Sequence, residues 1–248
     1  MWNRAELKSG AKSVLRGTYG QAFLVSLLAT VICNIFSTVD LIIKWDLLQS
    51  KSLLQTDVME YVNKMEIERT VAFLGFFFVI FVGYPITIGL ARFFVRNHSG
   101  EGDSNDLFSV FSRSYGSRVG AIFSTSLFIF LWGLLLIVPG IIKYFEYLLV
   151  PYILSDSPEM PGGRARELSR MLTDGQKGSI FVLMLSFLGW YALGLACAGV
   201  GILFVNPYYR ATMAELYVTL RDTAARDGRL DPAELGLPSG APEPGAAV

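Results

Sequence analysis

Long apolar segments alternate along the chain with shorter polar segments, most of which are basic. In the most informative stretch, 131–154, an apolar run breaks at Pro139-Gly140 and a second apolar run follows. Residues 70–91 contain no charged side chain, and their length matches the roughly 20 apolar residues that cross a bilayer as a helix. The pattern predicts an all-α polytopic membrane bundle made of helical hairpins.

The apolar segments predict six membrane spans. They are, in chain order, residues 22–39, 70–91, 119–138, 140–154, 178–196 and 202–220. With their polar connections they form one predicted membrane domain, residues 1–221. The remainder, 222–248, is rich in Ala, Pro, Gly and charge, and is therefore predicted to be a disordered cytoplasmic tail.

The distribution of Lys and Arg predicts the topology. Six spans place fifteen of the 21 Lys and Arg residues on one side and four, within 44–69, on the other. Because cytoplasmic loops carry an excess of these residues, both termini are predicted to be cytoplasmic. A four-span alternative treats 140–154 and 207–220 as surface segments. It is disfavoured because it moves the basic connection 155–177 to the outside.

Three basic connections carry apolar residues at the i, i+3, i+4 spacing of an amphipathic helix. The three sets are Ala11, Val14 and Leu15; Leu107, Val110 and Phe111; and Leu168, Met171 and Leu172. Pro85, Pro139 and Pro207 recur in or beside the even-numbered spans. These regularities predict three units, each an amphipathic cytoplasmic helix followed by a hairpin. The alternative is a chance likeness among basic loops of a six-span protein.

A few ionisable residues fall within the predicted spans. Lys143 and Glu146 lie three residues apart and share a helix face. Because an unpaired charge at membrane depth is costly, Arg210 of the sixth span is the predicted partner of Glu146. Asn206 and Glu215 lie on the same span. One interpretation is a polar lock between hairpins two and three, which is favoured because two matched charges suffice. The other is a substrate or ion site.

The basic connections also predict contacts with anionic lipid headgroups. The candidate residues are Arg16, Arg113, Arg118, Arg164, Arg166, Arg170 and Lys177. The alternative interpretation is that these residues only set the orientation of the protein in the membrane.

Composition narrows the function classes. The chain is 52% hydrophobic, only 17% charged and has zero net charge, so no global field would recruit nucleic acid. Cys33 and Cys197 lack ligand spacing, and His98 is the sole histidine, which makes a catalytic zinc site improbable. No nucleophile elbow or phosphate-binding glycine loop occurs. The sequence thus predicts a protein that is not an enzyme, without metal or cofactor.

Three segments carry a resemblance to a known family. They are Ile137-Val138-Pro139-Gly140-Ile141-Ile142-Lys143 with Tyr147 and Pro151-Tyr152-Ile153-Leu154; Phe187-Leu188-Gly189-Trp190; and Asn206-Pro207-Tyr208-Tyr209-Arg210-Ala211-Thr212. In these segments the chain resembles a family of bacterial multi-pass membrane proteins catalogued as a domain of unknown function, number nine hundred and seventy-five. It is also distantly similar to the membrane domain fused to some glycerophosphodiesterases. The resemblance implies an integral protein of the bacterial cytoplasmic membrane and implies no activity.

These features together predict a non-enzymatic membrane component that interacts with lipids or proteins. The predicted partners are membrane lipids, with other membrane proteins or a second copy of the chain as further candidates. The alternative function is a small transporter or channel subunit with its polar site at Glu146 and Arg210.

Overall fold

A computed structural model describes residues 2–52, 58–112, 114–197 and 199–237. These residues form helices and turns and contain no strand, so the all-α prediction is confirmed. The α-helices are α1 (Arg4–Ser52), α2 (Val58–Phe78), α3 (Tyr84–His98), α4 (Tyr115–Leu135), α5 (Ile137–Glu146), α6 (Val150–Asp156), α7 (Gly162–Thr173), α8 (Lys177–Leu185), α9 (Leu188–Ala196) and α10 (Val200–Arg226). Short 3-10 helices occur at Ser104–Leu107, Ser109–Phe111 and Pro232–Leu235.

Five helical stretches of the described chain are long and apolar enough to cross a membrane. They are Arg4–Asp46, Val62–His98, Tyr115–Leu135, Ile137–Asp156 and Lys177–Ala196. Helix α10 is not among them, because Asn206, Arg210 and Glu215 make its first half too polar. The membrane character of the chain is therefore supported, whereas the six-span arrangement is not confirmed.

Consecutive helices nevertheless pack in pairs, α1 with α2, α4 with α5 and α9 with α10. The turn between α4 and α5 is a single extended residue, Leu136, and Pro139 falls in the first turn of α5. A Cβ atom built on Gly140 would lie 2.6 Å from the Cα of Gly133. Gly194 and Gly201 make the same kind of backbone contact between α9 and α10. Two hairpins are thus closed by glycine pairs with identical spacing.

The second predicted span is one continuous rod in which a π-helical turn (Val79–Gly83) joins α2 to α3. Pro85 follows this turn directly, and proline has no N–H to donate to the carbonyl four residues earlier. That carbonyl belongs to Phe81, and it accepts a hydrogen bond from the hydroxyl of Tyr115 on α4. The proline therefore explains both the helix irregularity and this contact between hairpins one and two.

The buried core lies where the helices approach the basic connections, and the hairpin turns are left exposed. The largest fully buried side chains include Phe93, Leu107, Leu149, Ile153, Leu168 and Tyr217. At the α4–α5 turn, by contrast, Leu134 and Ile137 are 75% and 77% exposed. Apolar side chains this exposed require a non-aqueous environment, and a lipid bilayer provides such an environment for a helical hairpin.

The third hairpin is shorter than the first. Helices α1 and α10 run antiparallel, since Gly10 lies against Glu215 while the rings of Phe23 and Phe204 stack at 5.0 Å. Beyond Phe204 the α9–α10 turn is reached at Gly199, after about 8 Å of helix at the usual rise. Helix α1 continues from Phe23 through apolar residues for about three times that length. The hairpin of α9 and α10 therefore ends before the hairpin of α1 and α2 does, measured away from the basic connections.

Of the three predicted amphipathic helices, α7 forms as a separate helix. The first is instead the beginning of α1, which runs without a break into the first span. The second is wrong as an α-helix, because Ser104–Leu107 and Ser109–Phe111 are 3-10 turns. A capping box between Asp103 and Asp106 starts the first of these turns, and the Leu107 carbonyl packs directly on Gly89. The Leu107–Gly89 contact, together with the ion pairs of Asp106 to Arg92 and Arg96, holds the segment against α3.

The prediction that the chain is disordered from residue 222 is wrong for the part that the structure describes. Helix α10 continues to Arg226, and Leu230 and Leu235 are buried against the core. Composition alone missed these two apolar anchors among polar neighbours. Residues 238–248 lie outside the described residues.

The contact between Gly140 and Gly133 predicts different effects of alanine at the two positions, so one variant is the control for the other. Gly140→Ala should destabilise the protein by about 1–3 kcal/mol, because the new methyl group overlaps the Gly133 backbone. Gly133→Ala should be neutral or slightly stabilising, since its Cβ would meet nothing within 4 Å. Thermal unfolding of both variants in a mild detergent measures the difference. Equal destabilisation by both would contradict the hairpin geometry.

Candidate functional site

Glu146 forms a three-residue ionic cluster at the end of α5. Its Oε2 atom lies 2.6 Å from Lys143 Nζ, and its Oε1 atom lies 2.8 Å from Lys177 Nζ at the start of α8. The side chain of Glu146 is buried, while both lysines keep partial exposure. Lys143 also lies over the Trp132 ring, 5.6 Å from its centroid. The cluster links α5 to α8, and the Lys143 ammonium also lies beside the ring of Tyr147.

The predicted pairing of Glu146 with Arg210 is therefore wrong. Helix α5 ends at Glu146 and α8 begins at Lys177, so the fold brings these two helix ends together. A polar lock does exist, but it joins the second hairpin to α8 and not to α10. The prediction failed because Lys177 was assigned to lipid headgroups, which left Arg210 as the nearest cation in the spans.

The backbone beside this cluster is satisfied by a buried serine. Between α5 and α6 the helix is interrupted shortly before Pro151. Ser169 Oγ donates a hydrogen bond to the Glu146 carbonyl at 2.6 Å and accepts one from the Leu149 amide at 3.2 Å. Because Ser169 is fully buried on α7, the position of Glu146 is fixed from both its side chain and its backbone.

Arg210 lines a cavity of about 360 Å³ between α3, α4, the α5–α6 segment and α10. Within the described residues its guanidinium makes no hydrogen bond and no ion pair. Tyr144, Tyr147 and Tyr209 line this cavity, whereas Tyr208 does not. Arg210 is thus separated from Glu146 and lines a cavity that Glu146 does not reach.

A second, smaller cavity of about 130 Å³ lies on the other side of Arg210, against α1 and α3. Asn206 lines it, and its side-chain oxygen accepts a hydrogen bond from the Tyr191 hydroxyl at 3.1 Å. Ser26 also lines it, and the Ser26 hydroxyl is buried without a partner in the described chain. The structure therefore brings the predicted residues Asn206 and Arg210 together, without Glu146.

Glu215 is placed at a different site, one and a half turns further along α10. Its Oε1 atom lies 2.7 Å from Nδ1 of His98, the last residue of α3. The carboxylate also packs against Gly10 of α1, at 3.3 Å from a Cβ built there. This contact joins three helices at the basic end of the bundle. In the sequence, His98 was considered only as a metal ligand, and this pair was not predicted.

The basic residues predicted to meet lipid headgroups divide into three groups. Arg118 is buried and donates to the Ser109 carbonyl. Arg164, Arg166 and Lys177 bind protein groups, namely Glu234 and Glu167, Ser124, and Glu146 respectively. Arg16 and Arg170 are exposed and have no side-chain partner among the described residues. Arg113 lies outside the described residues.

Arg164 holds the C-terminal segment on α7. Its Nε lies 2.6 Å from Glu234 Oε1, beside the buried Leu235. The hydrogen bond from Arg164 holds the pKa of the Glu234 carboxyl below its usual range. Both groups are partly exposed, so the pair contributes at most about 1 kcal/mol.

A family comparison gives the identity of the chain at the level of family. The model described as "Protein of unknown function (DUF975)" matches residues 1–224. The chain belongs to this family. The family model covers the hairpins, both cavities and the ionic clusters, which confirms the family resemblance seen in the sequence.

Comparison with curated proteins and with solved structures gives no match. The distant similarity to the membrane domain of glycerophosphodiesterases is therefore unsupported. In the DUF975 chain, any functional assignment must rest on its own residues.

The site contains several residues that sequence reasoning missed. Tyr84, Thr87 and Tyr152 line the Arg210 cavity, and Ser169 fixes the Glu146 backbone. Tyr84 and Tyr152 each stand beside a span proline, at Pro85 and Pro151. Proline–tyrosine pairs within apolar runs were therefore the available signal.

Double-mutant cycles test the revised pairing of Glu146. Glu146→Gln and Lys177→Gln should show a coupling energy of about 1–2 kcal/mol, because the two groups are in direct contact. Glu146→Gln and Arg210→Gln should be additive within about 0.5 kcal/mol. Chemical unfolding in detergent micelles measures both cycles. A strong coupling of Glu146 with Arg210, and none with Lys177, would restore the original pairing and contradict the structure.

Proposed function

We propose that the protein is a non-catalytic component of the bacterial cytoplasmic membrane that binds anionic lipid at its cytoplasmic face. The observation that supports this most is a row of four basic residues on α1. Arg4, Lys8, Lys12 and Arg16 recur every fourth residue, so they follow one side of the helix. The side chains of Arg4, Lys12 and Arg16 are exposed, and the described chain offers none of them a carboxylate.

An adjacent face of the same helix segment anchors it to the protein. Leu7, Ala11 and Leu15 are buried in the core. Because these residues fix the helix, the basic row is held at the point where α1 becomes apolar and enters the predicted span. Cations at this depth meet phosphate headgroups, and each one near an anionic surface contributes roughly 1 kcal/mol of attraction.

A groove of about 380 Å³ next to the row suits a headgroup. Lys12 and Arg16 line it together with Leu15, Tyr19 and Tyr208. The Lys12 ammonium lies 5.6 Å from the centroid of the Tyr208 ring. Two cations can hold a phosphate here, while the tyrosine rings offer the amphipathic surface that is common at membrane interfaces.

Contacts between the ends of the chain support a cytoplasmic location for both. The indole of Trp2 donates to Gln176 in the turn before α8, and Arg164 of α7 binds Glu234 near the C-terminal end. The start of α1, the basic connection and the C-terminal segment therefore lie at one end of the molecule. Under the positive-inside rule this end faces the cytoplasm.

A transport function would need a different site from the one that the sequence predicted. Glu146 is occupied by Lys143 and Lys177, so a Glu146–Arg210 pathway has no basis in this fold. A second copy of the chain or another membrane protein stays a candidate partner, and nucleic acid is not proposed as one.

The lipid proposal predicts that exposed basic residues without a carboxylate partner contribute to the preference for anionic lipid. Basic residues already bound to protein groups should not contribute. Lys12→Gln with Arg16→Gln should lower the preference for phosphatidylglycerol over phosphatidylcholine by about fivefold or more, because two surface cations are lost. The readout is quenching of tryptophan fluorescence by brominated lipids in reconstituted vesicles.

Arg164→Gln with Arg166→Gln is the matched control, since it removes the same charge from side chains already bound to protein groups. We expect the control to keep the wild-type lipid preference at moderate salt. An unchanged preference in the Lys12 and Arg16 variant, or an equal loss in the control, would refute the proposed lipid site.

A further inference from the structure

Arg210 is a half-buried cation whose guanidinium has no hydrogen bond and no ion pair within the described residues. The buried carboxylates Asp106, Glu146 and Glu215 and the half-buried Asp156 each have a basic partner other than Arg210. Asp106 binds Arg92 and Arg96, Glu146 binds two lysines, Asp156 binds Arg221, and Glu215 binds His98. No described carboxylate forms an ion pair with Arg210. Because a guanidinium stays protonated in proteins, its charge must be stabilised by water or by a bound anion.

The cavity around Arg210 is rich in hydrogen-bond donors. Tyr84, Tyr144, Tyr147, Tyr152 and Tyr209 line it, and within the described residues none of their hydroxyls has a hydrogen-bond partner. Thr87, Thr125 and Ser126 also line the cavity, and no carboxylate does. A guanidinium among tyrosine side chains that lack described partners, with no competing carboxylate on the lining, suits an oxyanion.

The remaining walls of the cavity are apolar. Leu90, Phe94, Ile122 and Met213 contribute to them on four sides of the chamber. The volume of about 360 Å³ lies within the range of small-molecule sites, which are mostly apolar with a few well-placed polar groups. The cavity can accept an anion alone or an anionic group that carries a short apolar portion.

The surrounding fold holds the arginine in place. Pro207 lies one helical turn before Arg210 on α10, and Ala211, Thr212 and Met213 just after it are buried. Because helical side chains lean toward the N-terminal end, Arg210 extends toward the α9–α10 turn and away from the Glu215 pair. The guanidinium is therefore directed toward the two cavities that Arg210 lines and not toward the charged groups at the basic end.

We propose that the Arg210 cavity is a binding site for an oxyanion, a carboxylate or a phosphate group. The guanidinium of Arg210 forms charge-assisted hydrogen bonds to two of its oxygens, and tyrosine hydroxyls donate to the others. The anion comes either free from water or as the head of an amphiphile from the bilayer. This site is separate from the α1 basic row and does not depend on the proposed headgroup groove.

The test is ligand binding to the purified full-length protein in maltoside micelles, which carry no phosphate. The probes are inorganic phosphate, acetate, laurate and the uncharged analogue dodecanol, each titrated while the melting temperature and the bound fraction are recorded. We expect at least one oxyanion to bind and dodecanol not to match laurate. Binding of acetate or phosphate as tight as that of laurate identifies a free anion, and binding of laurate alone identifies an amphiphile.

Arg210→Gln should lower the affinity for the oxyanion by about tenfold or more, as expected for the loss of a charged hydrogen bond. Arg170→Gln is the control, since it removes an exposed cation that has no described partner, and it should bind as the wild type does. Tyr209→Phe should weaken binding less than Arg210→Gln does.

Three results would overturn the proposal: no probe binds, dodecanol binds as well as laurate, or Arg210→Gln binds within twofold of the wild type. Should Arg210→Gln fail to fold, Arg210→Lys serves in its place. Lysine keeps the charge but loses the planar two-pronged donor, so several-fold weaker binding is expected, and unchanged binding counts against the site. Lys12→Gln with Arg16→Gln should leave this binding intact, which separates the two sites.

Discussion

The cost of an unpaired charge at membrane depth is the constraint on which the architecture of this protein depends. Its buried carboxylates are each matched by a cation from another helix or from the adjoining turn. Glu146 joins α5 to α8, Glu215 joins α10 to α3, and Asp156 joins α6 to α10 through Arg221. These pairs lie where the helices meet the polar connections. The apolar hairpin turns have no such pairs in the described chain and are closed by backbone contacts between glycines.

The two ends of the molecule are therefore stabilised by different interactions. At the basic end, ion pairs and a buried apolar core specify how the helices pack, and Arg4, Lys12 and Arg16 on α1 are exposed. At the other end, exposed leucine, isoleucine and phenylalanine side chains are stabilised only by a non-aqueous surrounding. Arg210 lies between the two ends, and within the described residues it forms no ion pair.

Hydropathy and turn chemistry were enough to predict the helical class, the hairpin break near Pro139-Gly140 and the polarity of the connections. They could not predict which charges meet, because the Glu146–Lys177 contact depends on how α5 and α8 are positioned by α7. Composition also misjudged the C-terminal segment, where only Leu230 and Leu235 reach the core. Tyr84 and Tyr152 were not predicted from the sequence as site residues. Only the packing of four elements around Arg210 shows that they share one chamber.

The central claim is that the exposed apolar faces lie in lipid while the basic end lies in water. Spin labels at Leu135 and Leu193, and at Arg170, test it most directly in reconstituted vesicles, after Cys33 and Cys197 are replaced by serine. All three positions are exposed, so each accepts a label without disturbing the core. The account predicts that labels at the two leucines collide mainly with dissolved oxygen and the label at Arg170 mainly with a water-soluble nickel complex. Nickel access at Leu135 and Leu193 equal to that at Arg170 would contradict it.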